Sequence, residues 1–187
     1  LLTKDGDAVG LAQTGTGKTA AFGLPLLQRI DAAKEVPQAL IIAPTRELCL
    51  QIAGDLADFA KYIDGLRILP VYGGSSIESQ IRSLRKGVQV IVATPGRLID
   101  LIKRGVVHLD DVHTVVLDEA DEMLNMGFYK DVRGIIDLLK SRESLSMFSA
   151  TISREVLDIG WLYQHNAAEV DVQPVQESSP KICLLYT

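Results

Sequence analysis

A glycine-rich segment directly after a short apolar run most constrains how this chain can fold. The apolar run is Ala8-Val9-Gly10-Leu11, and the segment after it is Ala12-Gln13-Thr14-Gly15-Thr16-Gly17-Lys18-Thr19. This order predicts a strand, a tight turn and the start of a helix, with the N–H groups of the turn surrounding phosphate oxygens. Glycine is needed where the backbone itself touches a ligand. We therefore expect the segment to bind phosphates, with Lys18 at the β and γ phosphates and the Thr19 hydroxyl facing Mg²⁺.

The first position of this segment departs from the strict phosphate-loop pattern G-x-x-x-x-G-K-T, because Ala12 stands where the pattern has glycine. Only a small residue is required there. A glycine-rich turn with an incidental lysine is the alternative interpretation. The strand-like run before the segment and the helix-like run after it favour the phosphate loop.

A second, acidic segment favours a nucleotide triphosphatase. The run Val115-Val116-Leu117 leads into Asp118-Glu119-Ala120-Asp121. An apolar β-branched run predicts a buried strand, and ligands bind at the carboxyl ends of strands in parallel α/β sheets. We expect Asp118 to hold Mg²⁺ through water and Glu119 to orient or deprotonate the attacking water. An ordinary acidic helix start is the alternative.

Composition fits one globular domain: the chain has 187 residues, of which 47% are hydrophobic and 23% charged. Because no apolar stretch reaches about eighteen residues and no signal peptide is visible, we expect no membrane span, no secretion and a cytoplasmic location. Cys49 and Cys183 are expected to be reduced, with Cys49 acting as a small apolar helix residue. No metal-ligand spacing joins the histidines His108, His113 and His165.

Short β-branched runs alternate with amphipathic stretches, and the connections between them are short. This alternation predicts an α/β fold with a mostly parallel central sheet of about seven strands and helices on both faces. The candidate strands are 7–12, 39–43, 66–72, 88–93, 114–118, 145–149 and 168–172. After Thr45, helical spacing predicts a sheet-facing stripe formed by Leu48, Ile52, Leu56 and Phe59, with Leu50 and Ala53 beside it.

The end of the chain differs in character. Residues 173–180 are rich in proline and polar residues, as in a linker, and residues 182–186 are strand-like with no partner strand left in the chain. We expect one domain over residues 1–172 and the start of another over 173–187. The apolar end is also able to pair with a neighbouring molecule, so the sequence leaves the oligomeric state open.

Three further segments fall at predicted strand-to-helix turns. Because the net charge is −5, a polyanion would need local features such as the free N–H groups at helix starts. The segments are Ala43-Pro44-Thr45-Arg46-Glu47-Leu48, Tyr72-Gly73-Gly74-Ser75 and Ala93-Thr94-Pro95-Gly96-Arg97. Each alone is more typical of simple capping. Together on one sheet edge they are suited to holding successive phosphates of a single strand.

Each segment has its own features of a helix start. Thr45 is a candidate N-cap, and Arg46 adds a positive charge beside free N–H groups. Thr94 is a second candidate cap, Pro95 suits the first helical position, and Gly96 leaves room for a ligand to approach the backbone. The segment that ends in Ser75 has capping-box spacing in Ser75-x-x-Glu78.

In this order, the motifs resemble the first RecA-like domain of a DEAD-box RNA helicase over roughly residues 5–172. The matching motifs are AQTGTGKT at 12–19, PTREL at 44–48, the pair Gly73 and Gly74, TPGR at 94–97, DEAD at 118–121 and SAT at 149–151.

The resemblance implies ATP-dependent remodelling of RNA. ATP and Mg²⁺ are the implied cofactors, with catalytic roles for Lys18, Asp118 and Glu119. RNA with little sequence preference is the implied partner, and its sugar-phosphate backbone would contact Pro44, Thr45, Arg46, Gly73, Gly74, Thr94, Pro95, Gly96 and Arg97. Coupling of hydrolysis to strand separation is implied for Ser149, Ala150 and Thr151, with Asp121 as their partner.

Two parts of the family pattern fall outside this chain. The adenine-reading glutamine segment would precede Leu1, and the second RecA-like domain would supply arginines to the γ-phosphate. Because such an arginine contributes on the order of 10³ to 10⁵ in rate, we expect this chain alone to bind nucleotide weakly and hydrolyse it barely.

Two other functions stay open at this point. A DNA helicase or translocase of the same fold would share the phosphate loop and the acidic pair. A non-catalytic RNA-binding or scaffold module would keep the motifs only as fold elements, although such a module would not need an intact Mg²⁺ set.

Overall fold

The computed structural model describes residues 6–13 and 15–172. Within these residues the strands are β1 Ala8–Leu11, β2 Ala39–Ile42, β3 Ile68–Val71, β4 Val90–Ala93, β5 Thr114–Leu117, β6 Ser144–Ser149 and β7 Ala168–Asp171. They form one parallel sheet in the order β3-β4-β2-β5-β6-β1-β7. The predicted sheet is confirmed, with several strand ends shorter than expected. Thr14 and the expected linker and strand at 173–187 lie outside the described residues.

Helices follow the strands in sequence. They are α1 Lys18–Gln28, α2 Arg46–Phe59, α3 Ile77–Leu84, α4 Pro95–Lys103, α5 Ala120–Met123, α6 Tyr129–Ile136 and α7 Arg154–Tyr163. An irregular helical turn, Leu124–Phe128, joins α5 to α6 and contains Gly127 at a φ of +91°. None of the helices that the structure describes has the length and apolar character needed to cross a membrane.

Two apolar layers bury the sheet. On one face, Phe22 of α1 and Ile52 and Leu56 of α2 pack in a cluster that includes Phe148 of β6. On the other face, α4, α6 and α7 pack in a second cluster that includes Leu98. The central strands β2, β4 and β5 are buried along their whole length, which explains their continuous apolar sequences.

The predicted stripe on α2 is only partly correct. Ile52, Ala53 and Leu56 are buried, but Leu50 is 39% exposed and Phe59 is 37% exposed. Cys49 takes a core position instead, and its thiol donates to the carbonyl oxygen of Val92 at 3.0 Å. Burial raises the pKa of the Cys49 thiol to about 11, so it stays a neutral thiol.

Because all strands are parallel, their carboxyl ends meet at one edge of the sheet. The turns that follow β1 to β6 all lie there, and they contain every motif identified from sequence. Open parallel α/β sheets bind ligands at this edge.

Candidate nucleotide and nucleic-acid site

The phosphate loop has the backbone geometry that its glycines predict. Gly15 and Gly17 have φ values of +83° and +84°, in the left-handed region that favours glycine. The Thr16 hydroxyl donates to the Gln13 carbonyl oxygen at 2.7 Å and closes the turn. Gly17 is the N-cap of α1, and as a glycine it provides no side-chain acceptor for the first N–H groups of that helix. The loop therefore presents N–H donors to an anion.

The small residue at the start of the loop is explained by its surroundings. Ala12 is buried, and its N–H donates to the Ser149 carbonyl oxygen at 3.0 Å. The loop thus begins beside the SAT segment. At this position a small side chain meets the packing requirement, so the departure from the strict pattern leaves the loop geometry intact.

Lys18 and Asp118 form an ion pair at the base of the loop. Lys18 Nζ lies 3.6 Å from Asp118 Oδ1, and the two side chains are 8% and 3% exposed. Burial raises the pKa of Asp118 above its ordinary value, and the Lys18 ammonium opposes that rise. Buried charged side chains are rare and are usually paired, and they are concentrated at functional sites. This pair is therefore evidence for a functional site.

Glu119 has a backbone conformation that residues other than glycine rarely adopt. Its φ is +48°, and it stands between β5 and α5 as the N-cap of that short helix. The Glu119 N–H donates to Asp118 Oδ1 at 3.0 Å. Such backbone strain in a non-glycine residue concentrates at functional sites.

A cleft of about 280 Å³ lies over the loop and the acidic pair. Besides the residues expected from sequence, its lining includes Gln51, Asp55 and Phe59 of α2. These three residues were not predicted from the sequence as site residues. Their spacing of four residues along one helix face was the available signal, but only packing between α1 and α2 shows that this face borders the phosphate loop.

The DEAD and SAT segments are directly joined. Asp121 Oδ2 accepts from the Thr151 N–H at 2.9 Å and from the Thr151 hydroxyl at 2.7 Å. The Asp121 N–H donates to Ser149 Oγ at 3.2 Å, and that hydroxyl donates to the Thr151 carbonyl oxygen at 2.7 Å. Burial alone would raise the pKa of Asp121, but hydrogen bonds from Thr151 and Ser149 outweigh it and hold the pKa below its ordinary value. Ala150 lies between these two partners.

The PTREL turn and the glycine pair lie against each other. Thr45 is the N-cap of α2, and its hydroxyl accepts from the Leu48 N–H at 3.2 Å. The Arg46 guanidinium lies 5.0 Å from the centre of the Tyr72 ring. Gly74 has a φ of +80°, and a Cβ built there would lie 3.6 Å from Arg46 Nη1. Pro44 is buried at the end of β2, whereas Gly73 and Gly74 are exposed.

One expectation about helix starts on this edge is wrong, and the expectation for Thr94 is correct for its N-cap position only. The N-cap of α3 is Ser76 rather than Ser75; Ser76 Oγ accepts from the Ser79 N–H at 3.3 Å and donates to Glu78 at 2.9 Å. The Ser75 hydroxyl instead lies 3.4 Å from the Tyr72 carbonyl oxygen. Thr94 precedes α4 but makes no side-chain cap bond. Pro95 occupies the first turn of α4, as expected.

Arg97 and Gln80 connect two of these turns. Arg97 Nη1 and Nη2 donate to the Ser75 carbonyl oxygen at 3.3 and 3.2 Å, and Nη1 also donates to Gln80 Oε1 at 3.0 Å. Gln80 was not among the predicted site residues. A signal was present, because Ile77, Gln80, Ile81 and Leu84 have the spacing of an inward-facing helix stripe in which one member is polar.

A larger cavity of about 750 Å³ lies between α7 and the strands β1 and β7. Apolar side chains such as Leu11, Val156 and Trp161 dominate its lining, and Glu169 and Asp171 are its charged members. Because no lysine or arginine of the described residues lines this cavity, its described lining does not suit a phosphate. The smaller cleft over the phosphate loop is therefore the candidate site.

Comparisons with known proteins agree with this geometry. The ATP-dependent RNA helicase DeaD of Buchnera aphidicola subsp. Acyrthosiphon pisum is 46% identical over 186 residues, covering 100% of this chain and 31% of the relative. The DEAD-box ATP-dependent RNA helicase CshA of Geobacillus kaustophilus is 45% identical, with 96% of this chain and 38% of the relative covered. The chain thus spans about a third of the length of the curated relatives it matches.

Solved structures show the same fold. A DEAD box protein from Methanococcus jannaschii matches with a TM-score of 0.86 and 39% identity, over 92% of this chain and 47% of that protein. A hypothetical ATP-dependent RNA helicase from Sulfolobus tokodaii matches with a TM-score of 0.85 and 36% identity, over 92% and 50%. The fold is therefore the RecA-like fold expected from sequence. A family model described as DEAD/DEAH box helicase matches residues 1–159, and the chain belongs to the DEAD/DEAH box helicase family.

Proposed function

We propose that this chain is the ATP-binding, N-terminal RecA-like domain of an ATP-dependent RNA helicase. The observation that carries the proposal is the buried Lys18–Asp118 pair at the base of a phosphate loop. Family membership supports it, since the relatives are named ATP-dependent RNA helicases. Residues 1–172 would form the domain, and 173–187 would begin the connection to a second RecA-like domain.

The nucleotide would bind with its phosphates at the loop formed by residues 12–19. N–H groups of the loop and of the first turn of α1 would donate to phosphate oxygens, and the Lys18 ammonium would move from Asp118 towards the β and γ phosphates. Glu119 would then orient or deprotonate the attacking water.

The donor set around the loop fits Mg²⁺. The Thr19 hydroxyl and the Asp118 carboxylate are oxygen ligands at the same cleft, and Mg²⁺ is commonly held by one or two protein oxygens together with phosphates and water. In the family arrangement, the Asp118 contact would be made through water. When bound, the ion would neutralise charge on the phosphates.

Single-stranded RNA would bind along the turns that follow β2, β3 and β4. The N-termini of α2 and α4 and the exposed Gly73-Gly74 turn would supply N–H donors to phosphates, and Arg46 would add a charge. Thr94, Pro95, Gly96 and Arg97 would complete this surface. Because these contacts are to the backbone, we expect little sequence preference.

The hydrogen bonds between Asp121 and Thr151 support a coupling role for the SAT segment. They connect the acidic segment beside the nucleotide with the strand-to-helix turn before α7. Closure of a second domain over nucleotide and RNA would bend one strand and open a few base pairs, and loss of phosphate would reset the clamp.

Nucleotide binding tests the first part of this proposal. We expect Mg²⁺-dependent ATP binding that Lys18→Ala weakens by roughly ten-fold or more, because a charged contact to phosphate contributes more than 1 kcal/mol. Lys34→Ala is the matched control, since Lys34 is an exposed lysine outside the cleft. Calorimetric titration of the full-length parent protein and both variants measures the difference.

A second variant keeps the test informative if Lys18→Ala does not fold. Removal of Lys18 leaves a buried carboxylate without its partner, so Thr19→Val is made in parallel. Thr19→Val is expected to reduce the Mg²⁺-dependent part of binding. If the parent protein binds no nucleotide in the presence of Mg²⁺, the proposal is wrong and the non-catalytic module becomes the better interpretation.

A further inference from the structure

Gln80 is a polar residue in the inward-facing stripe of α3. It is 7% exposed, yet both polar atoms of its side chain are used. Gln80 Nε2 donates to the Tyr72 carbonyl oxygen at 3.1 Å and to Ser75 Oγ at 2.6 Å. Gln80 Oε1 accepts from Arg97 Nη1 at 3.0 Å. One buried side chain therefore contacts both ends of the turn after β3 and the first turn of α4.

Side chains from α3 and α4 restrain the turn after β3 at both of its ends. Within the turn itself, the Ser75 hydroxyl donates to the Tyr72 carbonyl oxygen at 3.4 Å. Gly73 and Gly74 lie in the middle of this turn and are exposed, and glycine has the greatest conformational freedom of any residue. Without the Gln80 and Arg97 contacts, the glycine pair would have few restraints on its position.

Arg97 strengthens the same network from the other side. It donates to the Ser75 carbonyl oxygen through both terminal nitrogens and belongs to the first turn of α4. Hydrogen bonds from a guanidinium are among the stronger ones in proteins. The glycine-pair turn and the N-terminus of α4 are thereby held as one unit.

We propose that Gln80 is a positioning residue for RNA binding, which fixes the Gly73-Gly74 turn relative to Arg97 and the N-terminus of α4. The inference rests on the proposed function and assigns a role to a residue outside the recognised motifs. Donors for successive phosphates of one strand must keep a fixed spacing. Gln80 maintains that spacing without touching the RNA.

Three variants separate positioning from packing. Gln80→Met keeps the side-chain volume but removes every hydrogen bond, and we expect RNA affinity about ten-fold lower. Gln80→Glu keeps the acceptor for Arg97 but loses the donor to the Tyr72 carbonyl oxygen, so we expect a loss of RNA affinity smaller than that of Gln80→Met. Gln89→Met is the matched control. Gln89 is also buried and hydrogen-bonded, to Ala32, Lys34 and Arg67, but it precedes β4 at the opposite edge of the sheet.

The measurement is the affinity of the natural full-length protein for single-stranded RNA, with ATP affinity and urea unfolding recorded for each variant. A loss of RNA affinity in Gln80→Met, with ATP affinity unchanged and a smaller loss in Gln80→Glu, supports the inference. Gln89→Met is expected to lower stability and leave RNA affinity unchanged. Ser75→Ala, which removes one surface acceptor from the network, is expected to weaken RNA binding moderately and replaces Gln80→Met if that variant does not fold.

Three results would overturn the inference, and they are distinguishable. If the parent protein binds RNA and Gln80→Met binds it equally well, Gln80 has only a packing role and the proposed function stands. If the parent protein binds no RNA, the proposed function is wrong and the inference is lost with it. An equal loss of RNA affinity in Gln80→Met and Gln89→Met would show a general effect of instability, which also contradicts positioning.

Discussion

Glu119 shows how a single residue combines strain with chemistry. Its φ of +48° places a non-glycine side chain in the left-handed region, where steric repulsion costs roughly 1 to 2 kcal/mol. The turn from β5 into α5 requires this backbone conformation. A glycine would relieve the strain but would remove the carboxylate that we assign to the attacking water.

Substitution at Glu119 tests this strain. We expect Glu119→Gly to be more stable than Glu119→Ala by about 1 kcal/mol, because alanine keeps the strained conformation and glycine does not. Both variants are expected to lose hydrolysis. Urea unfolding of the two variants at neutral pH gives the difference, and an alanine variant as stable as the glycine variant would show that the turn is unstrained.

For single residues, the sequence predicts the chemical role of a side chain better than it predicts which residues that side chain contacts. The pattern around Lys18 and Asp118 is local, so their proximity follows from the position of each motif after its strand. The contact between Asp121 and Thr151 was predicted from the family resemblance, and the structure shows this contact. Gln80 was missed because its partners lie on separate elements, which no local pattern records.

Among the elements, helix starts differ in how they are held. Thr45 caps α2 through its hydroxyl, whereas Thr94 makes no side-chain cap bond before α4. Pro95 needs no such cap at its own position, because proline lacks the N–H group that would otherwise require an acceptor. The two threonines have the same sequence context, a strand followed by a helix, yet they differ in their structural role.

Stability measurements distinguish the two threonines. We expect Thr45→Ala to lower the free energy of unfolding by about 1 kcal/mol, as typical for loss of a cap, and Thr94→Ala to lower it by less than about 0.5 kcal/mol. Urea unfolding of both variants measures the effect. Equal losses would mean that the Thr94 hydroxyl also stabilises its helix.

Element boundaries show why local spacing is a limited guide. The predicted capping box at Ser75 is displaced by one residue, because the Ser75 hydroxyl lies near Tyr72 and accepts from Gln80 while Ser76 caps α3. On α2, Cys49 is buried and Phe59 borders the nucleotide cleft. Both differences come from tertiary packing, which overrides the best local pattern.

For the whole molecule, the alternation of strands and helices was sufficient to predict the fold. Continuous apolar strands imply a sheet covered on both faces, and a helix between successive strands implies parallel strands joined by right-handed crossovers. The strand order was not predictable in the same way, since it depends on which helices pack together. The resulting sheet brings every recognised motif to one edge.

The chain spans about a third of the length of its matched relatives. We propose that the complete reaction requires a longer protein that contains this chain. A second domain would supply arginines to the γ-phosphate, worth on the order of 10³ to 10⁵ in rate. We therefore expect the isolated 187-residue chain to hydrolyse ATP far more slowly than the full-length protein.

The rate of Mg²⁺-dependent ATP hydrolysis by the full-length protein tests the proposed function most directly. The rate is compared without nucleic acid, with single-stranded RNA and with single-stranded DNA of equal length. We predict stimulation by RNA and not by DNA, and loss of that stimulated rate in Lys18→Ala. Equal stimulation by DNA would instead indicate a general nucleic-acid translocase, and a rate indifferent to both polymers would contradict the assignment of RNA as the partner.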